Sequence, residues 1–79
     1  MKVMYISLKS IDDVKVFVNA VNKTDFDVDL SSGRYVVDAK SIMGIFSLDL
    51  SKPIKMEIHC DGSKSCDQFI ESIARFKSE

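Results

Sequence analysis

The sequence predicts an α+β domain of two layers, in which helices cover one face of a β-sheet. Two segments alternate apolar and polar residues, DFDVDL at 25–30 and IKMEIHC at 54–60, which is typical of strands with one face in water. Two others, 11–21 and 66–76, repeat apolar residues at helical spacing. With the shorter segments between them, these elements predict the order β-α-β-β-α-β-α.

The first predicted strand, Lys2–Leu8, is rich in β-forming residues, but its periodicity leaves open which side faces the core. One orientation buries Val3 and Tyr5. The other orientation buries Met4, Ile6 and Leu8.

The first predicted helix runs from about Ile11 to Asn22. Ser10 has the side chain of an N-cap, and Asp12 and Asp13 place carboxylates in the first turn, where negative charge suits the helix dipole. Burial must hold this helix, because its β-branched residues are weak helix formers. The apolar stripe that would face the sheet comprises Ile11, Val14, Phe17, Val18 and Val21.

A hairpin is predicted from Asp25 to Ala39, with SSGR at 31–34 as its turn and Gly33 available for a positive φ. Pro53 fixes the chain before the next strand. That strand turns inward its alternate residues, Ile54, Met56, Ile58 and Cys60. Its outward side carries Lys55, Glu57 and His59.

The last helix has the clearest pattern in the chain. Ser65 and Gln68 have the spacing of a capping box at its start. The apolar stripe that follows comprises Cys66, Phe69, Ile70, Ile73 and Phe76.

The composition excludes several classes of function. The chain has 79 residues, of which 46% are hydrophobic and 29% charged, and its net charge of −1 gives no basic field for nucleic acid. No apolar run approaches the roughly 20 residues that span a bilayer, and the N-terminus lacks the apolar stretch of a signal peptide. We therefore expect one domain over residues 1–79, located in the cytoplasm and bound to neither nucleic acid nor membrane.

Two cysteines, Cys60 and Cys66, are expected to be reduced and buried, as is common in cytosolic proteins. The five residues between them do not make a CxxC redox motif, and His59 cannot complete a zinc site with two thiols. We expect no metal and no cofactor. A disulfide between the two cysteines stays an alternative if their side chains face each other.

The segments DVDL, SGR and KSIMGIFSL, together with the predicted order of elements, resemble those of HPr, the histidine-containing phosphocarrier protein of the bacterial sugar phosphotransferase system. KSIMG followed by SL is the most specific part. The resemblance implies an HPr-like open-faced β-sandwich, with a four-stranded antiparallel sheet and three helices on one face. It also implies that Ser41 is a site of regulatory phosphorylation and that the short helix after it is a docking surface.

The chain departs from this family at the phosphoryl-accepting histidine, which lies at the start of the first helix in a pattern like HARPA. The matching stretch here is SIDDV, so Ser10 stands at the histidine position and Asp12 at the arginine position. A serine hydroxyl is a weak nucleophile without a base, and a carboxylate repels phosphate. His59, on the outer side of the fourth strand, cannot replace the missing imidazole. We therefore assign no catalytic residue and expect that the chain is not an enzyme.

The short helix around Ser41–Leu48 has two compatible roles. Ser41 fits an N-cap, and a capping serine is also well placed for phosphorylation. One short helix cannot turn all its large apolar residues toward one core, so Ile45 and Leu48, or one of them, are expected inside. The expected partner-binding residues are Lys40, Ile42, Met43 and Phe46. Just beyond, Asp49 stands where the family commonly has glycine, so we expect a positive φ there.

These observations predict a non-catalytic regulatory or adaptor protein, similar to catabolite-repression HPr-like proteins, whose affinity for partners is switched by phosphorylation of Ser41. The expected partners are proteins of the phosphotransferase or catabolite-control system and a serine kinase. The alternative is a phosphocarrier with a non-histidine acceptor such as Ser10 or Asp12, which is disfavoured because nothing basic stands nearby in sequence to hold the phosphate. A third hypothesis is a diverged domain with an unrelated interaction, present as a monomer or weak homodimer.

Overall fold

The computed structural model describes residues 1–60, 62 and 64–78. The predicted order β-α-β-β-α-β-α is confirmed, with a short 3₁₀ helix added at the end. None of the helices in these ranges is long and apolar enough to cross a membrane. The elements are β1 (Lys2–Ile6), α1 (Ile11–Asn22), β2 (Asp27–Ser32), β3 (Tyr35–Asp38), α2 (Ile42–Phe46), β4 (Ile54–His59), α3 (Lys64–Ser72) and the 3₁₀ helix (Ala74–Phe76).

The four strands form one antiparallel sheet in the order β1-β4-β2-β3. Met56 of β4 lies between Met4 of β1 and Leu30 of β2, and this row continues to Val37 of β3. The three helices pack on the face that carries this row. The predicted open-faced sandwich, with a four-stranded antiparallel sheet and three helices on one face, is confirmed.

The core lies between the sheet and the helices, and no charged or polar side chain is buried in the part of the chain described. The rings of Phe17 and Phe76 meet edge to face, with centroids 6.2 Å apart. Burying a side chain of this size stabilises a fold by roughly 1.5–3 kcal/mol, which is how β-branched α1 stays helical. Ile11 was expected in this core but is 62% exposed, because the contacts of α1 with the core begin one turn later at Val14.

The open question about β1 is settled by burial. Ile6 and Leu8 are fully buried, whereas Val3 and Tyr5 face water on the open side of the sheet. The C-terminal segment runs beside the end of this strand. Ser7 donates its N–H to the carbonyl of Phe76 at 2.7 Å, and Ser78 donates to the carbonyl of Tyr5 at 2.8 Å. A single antiparallel bridge, Ile6 with Lys77, lies between these two bonds.

The hairpin turn is tighter than predicted. Ser32 pairs with Tyr35, so only Gly33 and Arg34 remain outside the ladder. Gly33 has φ +61°, as predicted, and no other residue type adopts a positive φ in the described ranges. A two-residue loop of this kind matches the twist of the strands it joins.

The last helix begins at Lys64, so Ser65 lies in its first turn and is not the predicted cap. Ser63, which precedes the helix, lies outside the described residues. The apolar stripe is buried at Cys66, Phe69, Ile73 and Phe76 and partly buried at Ile70, although Ile73 and Phe76 lie beyond the end of α3.

Cys60 and Cys66 form a disulfide, which corrects the expectation of two reduced thiols. Cys60 continues the inward-facing side of β4, and Cys66 lies in the first turn of α3 on its buried side. Both side chains therefore point into the same corner of the core. Their Cα atoms are 5.9 Å apart, a separation that a disulfide spans without movement of the backbone.

Candidate functional site

The α2 patch, defined as Lys40, Ser41, Ile42, Met43 and Phe46, lies where β3 turns into α2. Asp38, the last residue of β3, fixes that turn. Its carboxylate accepts the N–H of Lys40 at 2.9 Å, and its carbonyl accepts the N–H of Ser41 at 2.9 Å. The backbone is therefore held at the two residues that lead into the patch's only hydroxyl group.

Ser41 is the N-cap of α2, as predicted. Its backbone is extended, with φ −97° and ψ 104°, and its Oγ accepts the N–H of Gly44 at 3.1 Å. Its carbonyl accepts the N–H of Ile45 at 3.0 Å. The side chain is exposed, so the capping hydroxyl is also open to solvent.

The structural role of Gly44 is not evident from the sequence. A Cβ added at Gly44 would lie 3.2 Å from Ser41 Oγ and 3.2 Å from Val37 Cβ, tighter than nine in ten real contacts of this kind. The glycine lets α2 approach β3 closely and leaves room for the capping hydroxyl. Propensity alone marks this glycine only as a weak point in a helix.

The apolar side chains of α2 divide as expected between the core and the surface. Ile45 is fully buried and Leu48 nearly so. Met43 is 77% exposed and Phe46 41%, whereas Ile42 is half-buried against the core. Exposed apolar side chains that adjoin one another are common at interaction sites.

The start of α1 is where the resemblance would place the phosphoryl-accepting histidine. Ser10 is the N-cap, and its Oγ accepts the N–H of Asp13 at 3.1 Å. The Asp13 carboxylate turns back and accepts the N–H of Lys9 at 3.0 Å. Asp12 is exposed in the same turn. The hydroxyl is thus engaged as a cap, and two carboxylates stand where a phosphate would need positive charge.

Basic side chains nevertheless line a cavity beside this region, and the expectation that nothing basic stands nearby in sequence overlooked Lys9. A cavity of about 480 Å³ borders the start of α1. Its cationic residues come from opposite ends of the sequence, because the bridge between Ile6 and Lys77 brings the C-terminal segment there. The lining residues are Ser7, Lys9, Asp13, Arg75, Phe76, Lys77 and Ser78.

The sequence model of the family described as "PTS HPr component phosphorylation site" matches residues 13–79. The chain belongs to the HPr family of the phosphotransferase system. The structure of HPr-C-His from Thermoanaerobacter tengcongensis is similar, with 26% identity, a TM-score of 0.75 and coverage of 95% of this chain and 89% of that one.

Two further solved structures share the fold. The phosphocarrier protein HPr from Bacillus anthracis str. Ames has 26% identity and a TM-score of 0.67, covering 98% of this chain and 94% of its own. A histidine-containing phosphocarrier protein from Mycoplasma has 19% identity and a TM-score of 0.66, covering 94% and 86%, and supports the fold alone.

The family match begins immediately after Asp12, so Ser10 and Asp12 lie outside it, whereas the whole α2 patch lies within it. This HPr family member has one histidine, His59, at the end of β4. Its Nε2 lies 2.9 Å from Asp29 Oδ2 on the open face of the sheet. Within the described ranges, no three His, Cys, Asp or Glu side chains are grouped to hold a metal ion.

Asp49, in the loop after α2, does not have the positive φ that was expected. Its carboxylate instead accepts the backbone N–H of Ser51 at 3.1 Å and the hydroxyl of the same residue. These hydrogen bonds, with a smaller contribution from Lys52, lower the pKa of Asp49. The carboxylate closes the loop without a glycine, since hydrogen bonds of this local type stabilise turns.

Proposed function

We propose that this HPr family member is a non-catalytic regulatory or adaptor protein that docks proteins of the phosphotransferase or catabolite-control system through the α2 patch. One observation carries the proposal. Met43 is the most exposed large apolar side chain in the described residues, and it follows an exposed serine by two positions. An apolar side chain held in water on a short, fixed helix gains free energy when a partner covers it.

The state of the α1 start supports a role without phosphoryl transfer. Transfer needs an acceptor that is nucleophilic near neutral pH and a product that passes the phosphoryl group on. The hydroxyl of Ser10 is engaged as a helix cap, and the first turn that follows it carries the carboxylates of Asp12 and Asp13. No imidazole stands there in the sequence.

Phosphorylation of Ser41 supplies the switch in this proposal. A phosphoryl group would add about −1.5 to −2 charges beside Met43 and Phe46 at neutral pH. An apolar partner surface that fits the unmodified patch would then bury a charge, and a surface with arginine would gain an ion pair. The modification therefore exchanges one class of partner for another.

The kinase step is tested by incubating the chain with a serine kinase of the phosphotransferase system and ATP, followed by mass spectrometry. We expect one added phosphate on Ser41 and none on the Ser41→Ala variant. Ser47→Ala is the matched control, because Ser47 is an exposed serine at the other end of the same helix. Phosphate that persists in Ser41→Ala would remove the switch from the proposal.

The docking step is tested separately with purified phosphotransferase-system proteins and binding calorimetry. Met43→Asp should weaken binding at least about tenfold, since it places a charge in the contact. Ile11→Asp is the matched control, because Ile11 is an exposed apolar residue on α1, outside the patch. Equal affinities for the wild type and Met43→Asp would rule out the α2 patch as the docking surface.

The second candidate is a phosphocarrier with a non-histidine acceptor, favoured by the basic cavity beside Ser10. Lys9, Arg75 and Lys77 could offset the charge of a phosphoryl group there. The test is transfer of labelled phosphate from phosphoenolpyruvate through the first enzyme of the system. Label that is lost in Ser10→Ala would favour this candidate, and absence of label on the wild type would exclude it.

A further inference from the structure

The outer edge of β3 is an unpaired strand edge. β3 is the last strand of the sheet, and its inner side pairs with β2 from Asp29–Asp38 to Ser32–Tyr35. Among the described residues, no strand pairs with its outer side. Such edges offer rows of N–H and C=O groups to a further strand.

The register shows which backbone groups face outward. Ala39 donates its N–H to the carbonyl of Val28 at 2.9 Å, so this pair is hydrogen-bonded within the hairpin. Hydrogen-bonded pairs alternate along an antiparallel ladder. Val37 and Tyr35 therefore direct their N–H and C=O toward β2. Val36, between them, directs both groups away from the sheet.

The side chains at this edge are apolar and exposed. Tyr35 is 70% exposed and Val36 is 66% exposed. Val36 lies on the open face of the sheet, opposite Ser31. A β-branched and an aromatic residue are side chains that pack well against another strand.

The opposite edge of the sheet is protected in a way that β3 is not. The C-terminal segment covers the end of β1 through the bonds of Ser7 with Phe76 and of Ser78 with Tyr5. The other end of β1 carries Lys2, whose Nζ lies 3.4 Å from the carboxylate of Asp67. Covering segments and lysines are the devices by which sheet edges avoid pairing. The exposed edge of β3 has neither.

The charges at the two ends of β3 complement each other. Arg34 precedes the strand and Asp38 ends it. Asp38 lies directly across from Asp29, so two like charges face each other on the open side of the sheet. Arg34 makes no ion pair within the described residues. An antiparallel pairing of two β3 strands centred on Val36 places each Arg34 opposite the Asp38 of the other copy.

We propose that this chain forms a twofold homodimer in which the β3 edges of two copies pair antiparallel about Val36. The two sheets then become one continuous sheet, held by hydrogen bonds between the two Val36 residues and by two Arg34–Asp38 ion pairs. A twofold axis at such a pair is perpendicular to the sheet, so both sets of helices lie on the same face. The inference stands independently of the proposed function.

Sedimentation velocity over a range of about 10 µM to about 1 mM tests association, because a contact this small gives a weak dimer. Val36→Pro removes the outward N–H and leaves the bonds to β2 intact, a position where an edge strand tolerates proline. We expect Val36→Pro to weaken the dimer by about tenfold or more. Val36→Thr, which keeps both the N–H and the shape, should dimerise like the wild type.

A charge exchange gives the second test and does not depend on how proline is tolerated. Arg34→Asp and Asp38→Arg should each weaken the dimer by about tenfold. Each variant places two like charges opposite each other at both ends of the paired strands. The double variant Arg34→Asp/Asp38→Arg should restore it. Asp38→Arg and the double variant both lack the carboxylate that holds Lys40, so their comparison isolates the ion pairs. Lys15→Asp, an exposed charge change on α1, is the matched control.

The two series have outcomes that decide the proposal. A wild type that stays monomeric at about 1 mM overturns it, since even weak edge pairing would be visible there. A dimer that persists in both Val36→Pro and Arg34→Asp also overturns it and assigns the contact to another surface. The proposal is also overturned if the chain does not self-associate but an extended segment of a different protein pairs with the β3 edge.

Discussion

Gly44 donates its N–H to the hydroxyl of Ser41, and a larger residue at its position would require Ser41 or Val37 to shift. The nitrogen of Gly44 lies 3.1 Å from Ser41 Oγ, and a Cβ added at Gly44 would lie 3.2 Å from the same oxygen. The cap and the glycine therefore act together. This arrangement holds Met43 and Phe46 outward on a helix of only five residues.

Replacing Gly44 by alanine should destabilise the fold, although alanine is the better helix former. The helix-propensity gain is at most about 1 kcal/mol. Against it, the new Cβ meets the Cβ of Val37, which is fixed to a strand and cannot turn away. Overpacking of this kind costs about 1–3 kcal/mol, so we expect a net loss and a Tm lower by several degrees in thermal denaturation. A higher Tm would show that α2 can move away from β3.

Removing the cap at Ser41 should cost about 1 kcal/mol of unfolding free energy in Ser41→Ala, measured by urea denaturation. Ser41→Asp should cost much less, because aspartate also caps helices. The pair of variants separates the cap from the charge. Ser10→Ala, which removes the equivalent cap of α1, provides the comparison. If Ser41→Asp unfolds as easily as Ser41→Ala, capping does not explain the serine.

Reduction of the Cys60–Cys66 disulfide should lower the unfolding free energy by about 2 kcal/mol, from the chain entropy that a loop of this length releases. Urea denaturation with and without dithiothreitol measures the difference. The variant Cys60→Ala/Cys66→Ala is the control and should not respond to the reductant. Identical midpoints for the wild type in both conditions would show that the bond is not formed in solution.

The pKa of Asp49 should lie below its ordinary value, and Ser51→Ala should raise it toward that value, since the hydroxyl of Ser51 is the main cause of the shift. Titration of the carboxyl carbon by NMR measures both. A carboxyl whose pKa is lowered in the folded state contributes stability above its unfolded pKa, and this is lost as pH falls through the folded pKa. Ser47→Ala, a change in a nearby exposed serine, should leave the titration of Asp49 unchanged.

Periodicity predicted the parts of this fold that one-sided burial dictates. The alternation of β4 placed Met56 and Ile58 inside correctly, and the helical spacing placed Phe17 and Val21. These predictions succeed because a sheet with one covered face repeats every two residues and a helix every 3.6. The prediction that Ile11 is buried was wrong because a periodic stripe does not reveal where the contact of a helix with the core begins.

Several features that the sequence did not predict depend on how neighbouring elements pack against each other. The Cys60–Cys66 bond requires the end of β4 and the start of α3 to share one corner, which spacing alone left open. The contact of Gly44 with Val37 depends on how closely α2 approaches β3. The α2 patch itself was predictable in outline. The short helix has more large apolar residues than it can turn toward one small core, so Met43 and Phe46 were expected at the surface.

The bonds of Ser7 with Phe76 and of Ser78 with Tyr5 hold the segment at the end of β1 against the segment around the 3₁₀ helix, beside α1. As a result, the charges around Ser10 come both from its sequence neighbours Lys9 and Asp13 and from Arg75 and Lys77, which are remote from it in sequence. Substitutions at Arg75 or Lys77 would change the affinity of the start of α1 for an anion, although every residue of the helix stays the same. Two homologues that differ only at Arg75 and Lys77 would therefore differ in anion affinity at Ser10, although an alignment of α1 would show them as identical.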